Sequence, residues 1–323
     1  MFNVLNMRIE TPVILCGLLF VCGCNSGLNK AIKLYKHDSF AEAFEYALPI
    51  ASSGDSQAQY MIGSMYFSGT GVKRNCGHAL EYLTSSAELG YPYAQYHLGA
   101  LYDSGFCVEK SSYTAIAWYT LAAENGLAEA QYDLALAYET GNGVNQNTLT
   151  ALKWHEMAAK QGHMAAAISL AQLYLKPGGI TNDSAKAIKW LKSAVDGGDP
   201  TAQILLAEIY LKGDMVARDS KKGLKLLKLA ARQGNASAAL TLANHYFVGQ
   251  YIQSNYTEAY KWMVISKRSG NTLAPFFLNK FESVMTASQI KEGLAQSDKF
   301  QVLITRKAKP AGCPIVFRGI TGK

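Results

Sequence analysis

The 323-residue sequence is poor in the patterns that build an active site. It has no Cys-x-x-Cys pair and no cysteine–histidine spacing of a zinc centre. His155-Glu156 opens an H-E-x-x-H pattern, but Ala159 stands where the second histidine is required. A Gly-x-Ser-x-Gly elbow and a Walker loop are lacking, as is the joint serine–lysine, S-D-N and K-T-G set of penicillin-binding enzymes. The six histidines, His37, His78, His97, His155, His163 and His245, form no ligand set and read as surface or boundary residues. No catalytic residue, metal ligand or cofactor site emerges, so a non-enzymatic role without cofactor is the expectation. Long apolar runs are also missing. The one near the start, Val13–Val21, is too short for a typical membrane span. Charged residues make up only 17% of the chain against 49% hydrophobic, a composition that excludes a disordered protein.

What the sequence does have is a period. Glycines recur every 36 residues at Gly54, Gly90, Gly126, Gly162, Gly198, Gly234 and Gly270. Other columns keep the same step. They include Ala58 to Ala274, Tyr66 to Tyr246, and an aromatic series Tyr46, Tyr82, Trp118, Trp154, Trp190, Leu226 and Trp262. In the third copy, Ala115, Trp118 and Ala122 are spaced i, i+3, i+7 and mark one face of a helix. Gly126 ends that helix, and Ala130, Leu134 and Tyr138 begin a second apolar pattern. Gly141 and Gly143 punctuate the turn into the next copy. Each unit is thus a helix, a tight turn, a second helix and a glycine-rich loop. One such hairpin cannot bury its own apolar face, so the units must stack. The aromatic column is expected to lie in the packed core, beside the alanines.

The unit from Ala115 to Val144, A-x-x-W-x-x-x-A-A-x-x-G-x-A-x-A-Q-Y-x-L-A-x-x-Y-x-x-G-x-G-V, resembles the Sel1-like repeat, a relative of the tetratricopeptide repeat. The match runs over residues 38–281. Two copies depart from it: one carries Pro177-Gly178-Gly179 in its loop, and another has Leu226 in place of the aromatic. The resemblance implies an all-α fold, an α/α superhelical solenoid of about seven 36-residue helix-turn-helix repeats used for protein–protein contact. It also implies that the first helices line the concave groove.

The N-terminal region reads as a separate segment. Val21-Cys22-Gly23-Cys24 resembles a bacterial lipobox. Residues 1–23 would be a lipoprotein signal peptide, Cys24 the lipidated residue and 24–37 a linker. The solenoid is expected over 38–285, a capping helix over 286–302 and a mobile basic tail over 303–323. Asn25 after the lipid acceptor implies an outer-membrane lipoprotein facing the periplasm; an ordinary cleaved signal peptide and a soluble periplasmic or secreted protein is the alternative. Beyond Cys24 three cysteines remain, Cys76, Cys107 and Cys313. An oxidising compartment permits a Cys76–Cys107 disulfide, although free thiols are the expected state.

Charge is distributed unevenly. Residues 25–147 hold 6 Lys+Arg and 12 Asp+Glu, whereas residues 148–323 hold 24 and 11. The reversal runs along one stripe of the first helices, opposite the Ala115, Trp118 and Ala122 face. The early copies carry Glu45, Glu81, Glu88 and Glu124 there, and the later ones Lys153, Lys189, Lys192, Lys225, Lys228, Arg232, Lys261 and Arg268. These eight are the candidate partner-binding residues. The partner class they suit is an acidic protein segment, with an anionic glycan or a lipid head group as alternatives. A carbohydrate-linked envelope role or a host-interaction factor remains the second functional reading. Nucleic acid is not expected, because the basic face lacks interleaved aromatics.

Overall fold

The computed structural model describes residues 24–176 and 183–307. Among the described residues there are sixteen α-helices and no strand. The chain divides into two compact units, Met1–Ala94 and Gln95–Lys323. The first contains α1 (Cys24–Lys36), α2 (Phe40–Ser52), α3 (Ser56–Ser68) and α4 (Cys76–Glu88); α5 (Pro92–Ser104) crosses the division. The second contains α6 (Ser112–Glu124), α7 (Ala128–Thr140), α8 (Thr148–Lys160), α9 (Met164–Leu175), α10 (Ser184–Asp196) and α11 (Pro200–Lys212). It continues with α12 (Ser220–Arg232), α13 (Ala236–Val248), α14 (Tyr256–Arg268), α15 (Ala274–Glu282) and α16 (Ala287–Lys307). The even-numbered helices α2–α14 are the first helices of the repeats, and the odd-numbered α3–α15 are the second.

The helix boundaries are encoded locally. Asn75, Ser111, Asn147, Asp183, Asp219 and Asn255 stand 36 residues apart and all N-cap a first helix. Each side chain accepts a hydrogen bond from the backbone amide three residues on, satisfying a donor that the helix leaves open. At the other end, the glycine column takes left-handed φ values, +88° at Gly126 for example. A Cβ added at Gly126 would meet nothing within 4 Å. The requirement there is backbone conformation and not space.

The core consists of small and branched residues in register. Ala94, Ala130, Ala166, Ala202, Ala238 and Ala274 are fully buried, and so are Leu134, Leu170 and Leu242. Second helices α3, α7, α9, α11 and α13 pack more extensively on the following first helix than first helices pack on their own hairpin partners: α7 meets α8 more fully than α6. A buried amide clamp ties units together in the second compact unit. Gln131 donates through Nε2 to the Ala123 carbonyl at 3.0 Å and accepts from Gln161 Nε2 at 2.8 Å. Asn125 and Gln95 repeat the side-chain bond at 2.9 Å, and Gln233 and Gln203 at 3.1 Å. The buried glutamine of the Ala-Gln pair therefore forms a polar lock with an exposed amide at the edge of the apolar core.

Several expectations are corrected. Residues 24–36, expected as a linker, form α1. Its Leu28 and Ala31 are buried against Ala47, Ala51, Ala58 and Ile62, so it covers the apolar face of α2. The final helix α16 runs to Lys307, into the segment expected as tail; residues 308–323, like residues 1–23 and the Pro177-Gly178-Gly179 loop, lie outside the described residues. Cys76 and Cys107, expected as free thiols, are both disulfide-bonded. The aromatic column is core at Trp262 alone of its tryptophans, where the side chain is 2% exposed. Trp118, Trp154 and Trp190 are half-buried and Tyr46 is 41% exposed. The buried position is the next one along the helix: Ala47, Leu83, Tyr119, His155, Leu191, Leu227 and Met263. The helical phase points the 115, 119, 122 and 123 positions inward, which leaves 118 on the flank.

Candidate functional site

The eight predicted cations sort into two groups in the second unit. Lys153, Lys189, Lys192, Lys225 and Arg232 are exposed, and Lys228 is half-buried. None of these six pairs with a carboxylate among the described residues. They lie on α8, α10 and α12. The ammonium of Lys189 sits 5.9 Å from the Trp190 ring centroid, and that of Lys228 lies 5.8 Å from Tyr246. The half-exposed aromatics thus steady the lysine stems while the charges stay in water.

Lys261 and Arg268 leave the site. Lys261 pairs with Glu258 at 2.9 Å and has a side chain only 16% exposed. Arg268 pairs with Asp298 at 2.7 Å. Both sit on α14, whose outward face is covered by α16. Phe300 meets Trp262 edge-on at 4.9 Å, and Trp262, Val264 and Ile265 are buried. The stripe open to a partner therefore ends at α12.

Two cations were missed from the stripe, Lys186 and Lys222, in the first turns of α10 and α12. Each lies above a tyrosine of the preceding second helix, at 5.5 Å from Tyr174 and 5.6 Å from Tyr210. Each also pairs with its N-cap carboxylate, Asp183 at 3.3 Å and Asp219 at 3.0 Å. Backbone hydrogen bonds from the helix N-terminus hold both aspartates below their ordinary carboxylate range. The 36-residue step at 78, 186 and 222 was the available signal, with the His78 ring tilted at 59° to that of Tyr66, centroids 4.9 Å apart, at the same position.

Other polar groups are structural in character. A cavity of about 240 Å³ is lined by Asp103, Ser112, Tyr119, Asp133 and Thr140 among others. Tyr96 donates to Asp133 at 2.7 Å, and burial raises the Asp133 pKa. His155 is fully buried, against the boundary position expected, with Nε2 3.4 Å from Glu139 and Nδ1 unpartnered. Burial lowers its pKa. Among the described residues no group of three or more His, Cys, Asp or Glu could hold a metal ion. No helix there is long and apolar enough to cross a membrane.

The geometry of paired helices at a strict period has a family counterpart. The Sel1 repeat model matches residues 56–91, 92–127, 128–163, 165–199, 200–235 and 236–271. The chain belongs to the Sel1 repeat family. The fold is the all-α superhelical repeat class expected from the sequence. Each matched Sel1 unit joins a second helix to the following first helix, and in five of the six units that pair packs most fully. Among solved structures, the chain is similar to a protective antigen of uropathogenic Escherichia coli strains with an SLR fold, at 26% identity and a TM-score of 0.74. That match covers 93% of this chain but 66% of the antigen, so this chain spans less than two thirds of it. A Sel1 repeat protein from Oxalobacter formigenes matches at 28% identity and a TM-score of 0.66, covering 75% of this chain and 99% of that one. No curated protein matches. Sel1 repeats are typically protein–protein interaction modules.

Proposed function

We propose that this Sel1 repeat protein is a scaffold of the bacterial envelope that holds an acidic protein segment on the first-helix face of α8, α10 and α12. The observation that carries the reading is six cations without internal carboxylate partners on three successive first helices. Cations already paired within a fold have little to offer a partner, whereas unpaired ones steer an anion toward the face and fix its register. Lipid on Cys24, the first residue of α1, tethers the scaffold to the outer membrane. The lipobox-like Val21-Cys22-Gly23-Cys24 supports the tether, and the disulfide-bonded state of Cys76 and Cys107 suits an oxidising compartment.

Affinity capture from envelope extract with the full mature chain tests the scaffold. A stable protein partner should be recovered, should elute as salt rises, and should be lost on combining Lys153→Glu, Lys189→Glu and Lys225→Glu. Recovery of glycan alone, or undiminished capture by the triple variant, would overturn it. Labelled palmitate should be incorporated by the wild type and not by Cys24→Ser; persistent labelling of the variant refutes the tether.

A further inference from the structure

The exposed first-helix face of the second unit is graded in a way that a uniform acidic ligand does not explain. Cations increase along it: α6 has no lysine or arginine, α8 has Lys153 and Lys160, α10 has three lysines and α12 has four lysines and Arg232. Apolar exposure is greatest at the opposite end, with Leu229 on α12 (43% exposed) the one large apolar side chain exposed among the cations of α10 and α12. On α6, Tyr113 is 76% and Leu121 39% exposed; on α8, Leu149 is 53% and Met157 44% exposed. These occupy the same two positions of successive repeats. On α10 those positions hold Ala185 and Ser193, and on α12 they hold Lys221 and Leu229. Single exposed apolar residues are ordinary, but a set aligned on neighbouring helices is what a partner covers.

The chain itself fills the equivalent face once. On α14, α16 supplies Asp298 to Arg268, a stripe position, at 2.7 Å, and Phe300 to Trp262 on the flank beside the stripe at 4.9 Å. A carboxylate and an apolar ring, two residues apart, dock together. Resting on the acidic-partner reading above, we infer that the partner is a protein segment with an apolar anchor at one end and a run of carboxylates at the other. The anchor seats on Tyr113, Leu121, Leu149 and Met157, and the carboxylates follow α10 and α12. The anchor supplies affinity that salt does not screen, and the acidic run fixes direction.

The test is panning of a phage-displayed library of random peptides, about sixteen residues long, on the full mature chain. Enriched peptides should combine an apolar cluster at one end with several Asp or Glu at the other. Their affinity should fall about tenfold in the Leu121→Ser, Met157→Ser double variant with the salt dependence unchanged. In Lys189→Glu, Lys225→Glu the salt dependence should collapse instead. Both apolar positions are about two-fifths exposed, and thermal melts verify that the variants fold. Acidic peptides that lack an anchor and bind the serine variant undiminished overturn this inference alone. Enrichment without acidic residues, or no enrichment, overturns the acidic-partner reading with it.

Discussion

Gln131 carries two hydrogen bonds that no apolar residue could replace, and it is only 1% exposed. Its partner lies 30 residues on, and the pairing is kept or lost as a unit along the chain. Gln95 has Asn125 and Gln203 has Gln233, while Ala167 faces the register of Gly197, where both amides are gone. Gln59 is the exception. Its partner position is Leu89, 59% exposed, and Gln59 Oε1 is buried without a partner. Leu89→Gln should therefore stabilise the protein by about 0.5–1.5 kcal/mol, and Gln131→Ala should destabilise it by about 1–3 kcal/mol, both read by denaturant unfolding. The A-Q-Y stretch was legible as a repeat feature. Its function as a clamp was not, because hydrophobic periodicity registers apolar faces and is blind to a polar pair at their edge. Buried histidines make a second residue-scale prediction. Burial lowers His97 to about 4 and lowers His155 and His163 as well. The unfolded chain then binds more protons than the folded one between about pH 6.5 and pH 4. Stability present above that window is lost as pH falls through it. His155→Leu, which restores the residue found at Leu191 and Leu227, should flatten part of that loss in melts at pH about 7 and about 4.5.

The helices themselves were readable, because caps and glycines recur with the period and act locally. What the period does not encode is the end of the stack, where α16 leaves the repeat path and lies on α14 instead of continuing the pairing seen elsewhere. The sequence identified a capping helix after residue 286 but gave no signal for the face it covers. That face removed Lys261 and Arg268 from the candidate site and buried Trp262 alone of the four tryptophans. Phe300→Ala should cost about 1–3 kcal/mol and open that contact. Acrylamide quenching of tryptophan fluorescence should rise in the variant while the helical circular dichroism signal stays. Unchanged quenching would mean that α16 does not seat on Trp262.

For the molecule as a whole, fold and specificity separate cleanly. The invariant columns, Ala130 and Leu134 among them, are buried and build the stack. The variable exposed columns on the first helices carry the charge and apolar gradients that a partner would read. Charge reversal along the chain was visible in the sequence, but which cations were free was not, since ion pairing depends on elements distant in the chain, as with Arg268 and Asp298. The central claim is that the first-helix face of the second unit receives the partner. Site-specific photocrosslinking in cells tests it most directly, with the crosslinking amino acid placed in turn at Met157, Ser193 and Leu229 on first helices and at Gln172 and Thr201, which are exposed on second helices. The account predicts a shared crosslinked protein partner from the three first-helix positions and none from the two second-helix positions; crosslinks from Gln172 and Thr201 alone would contradict it.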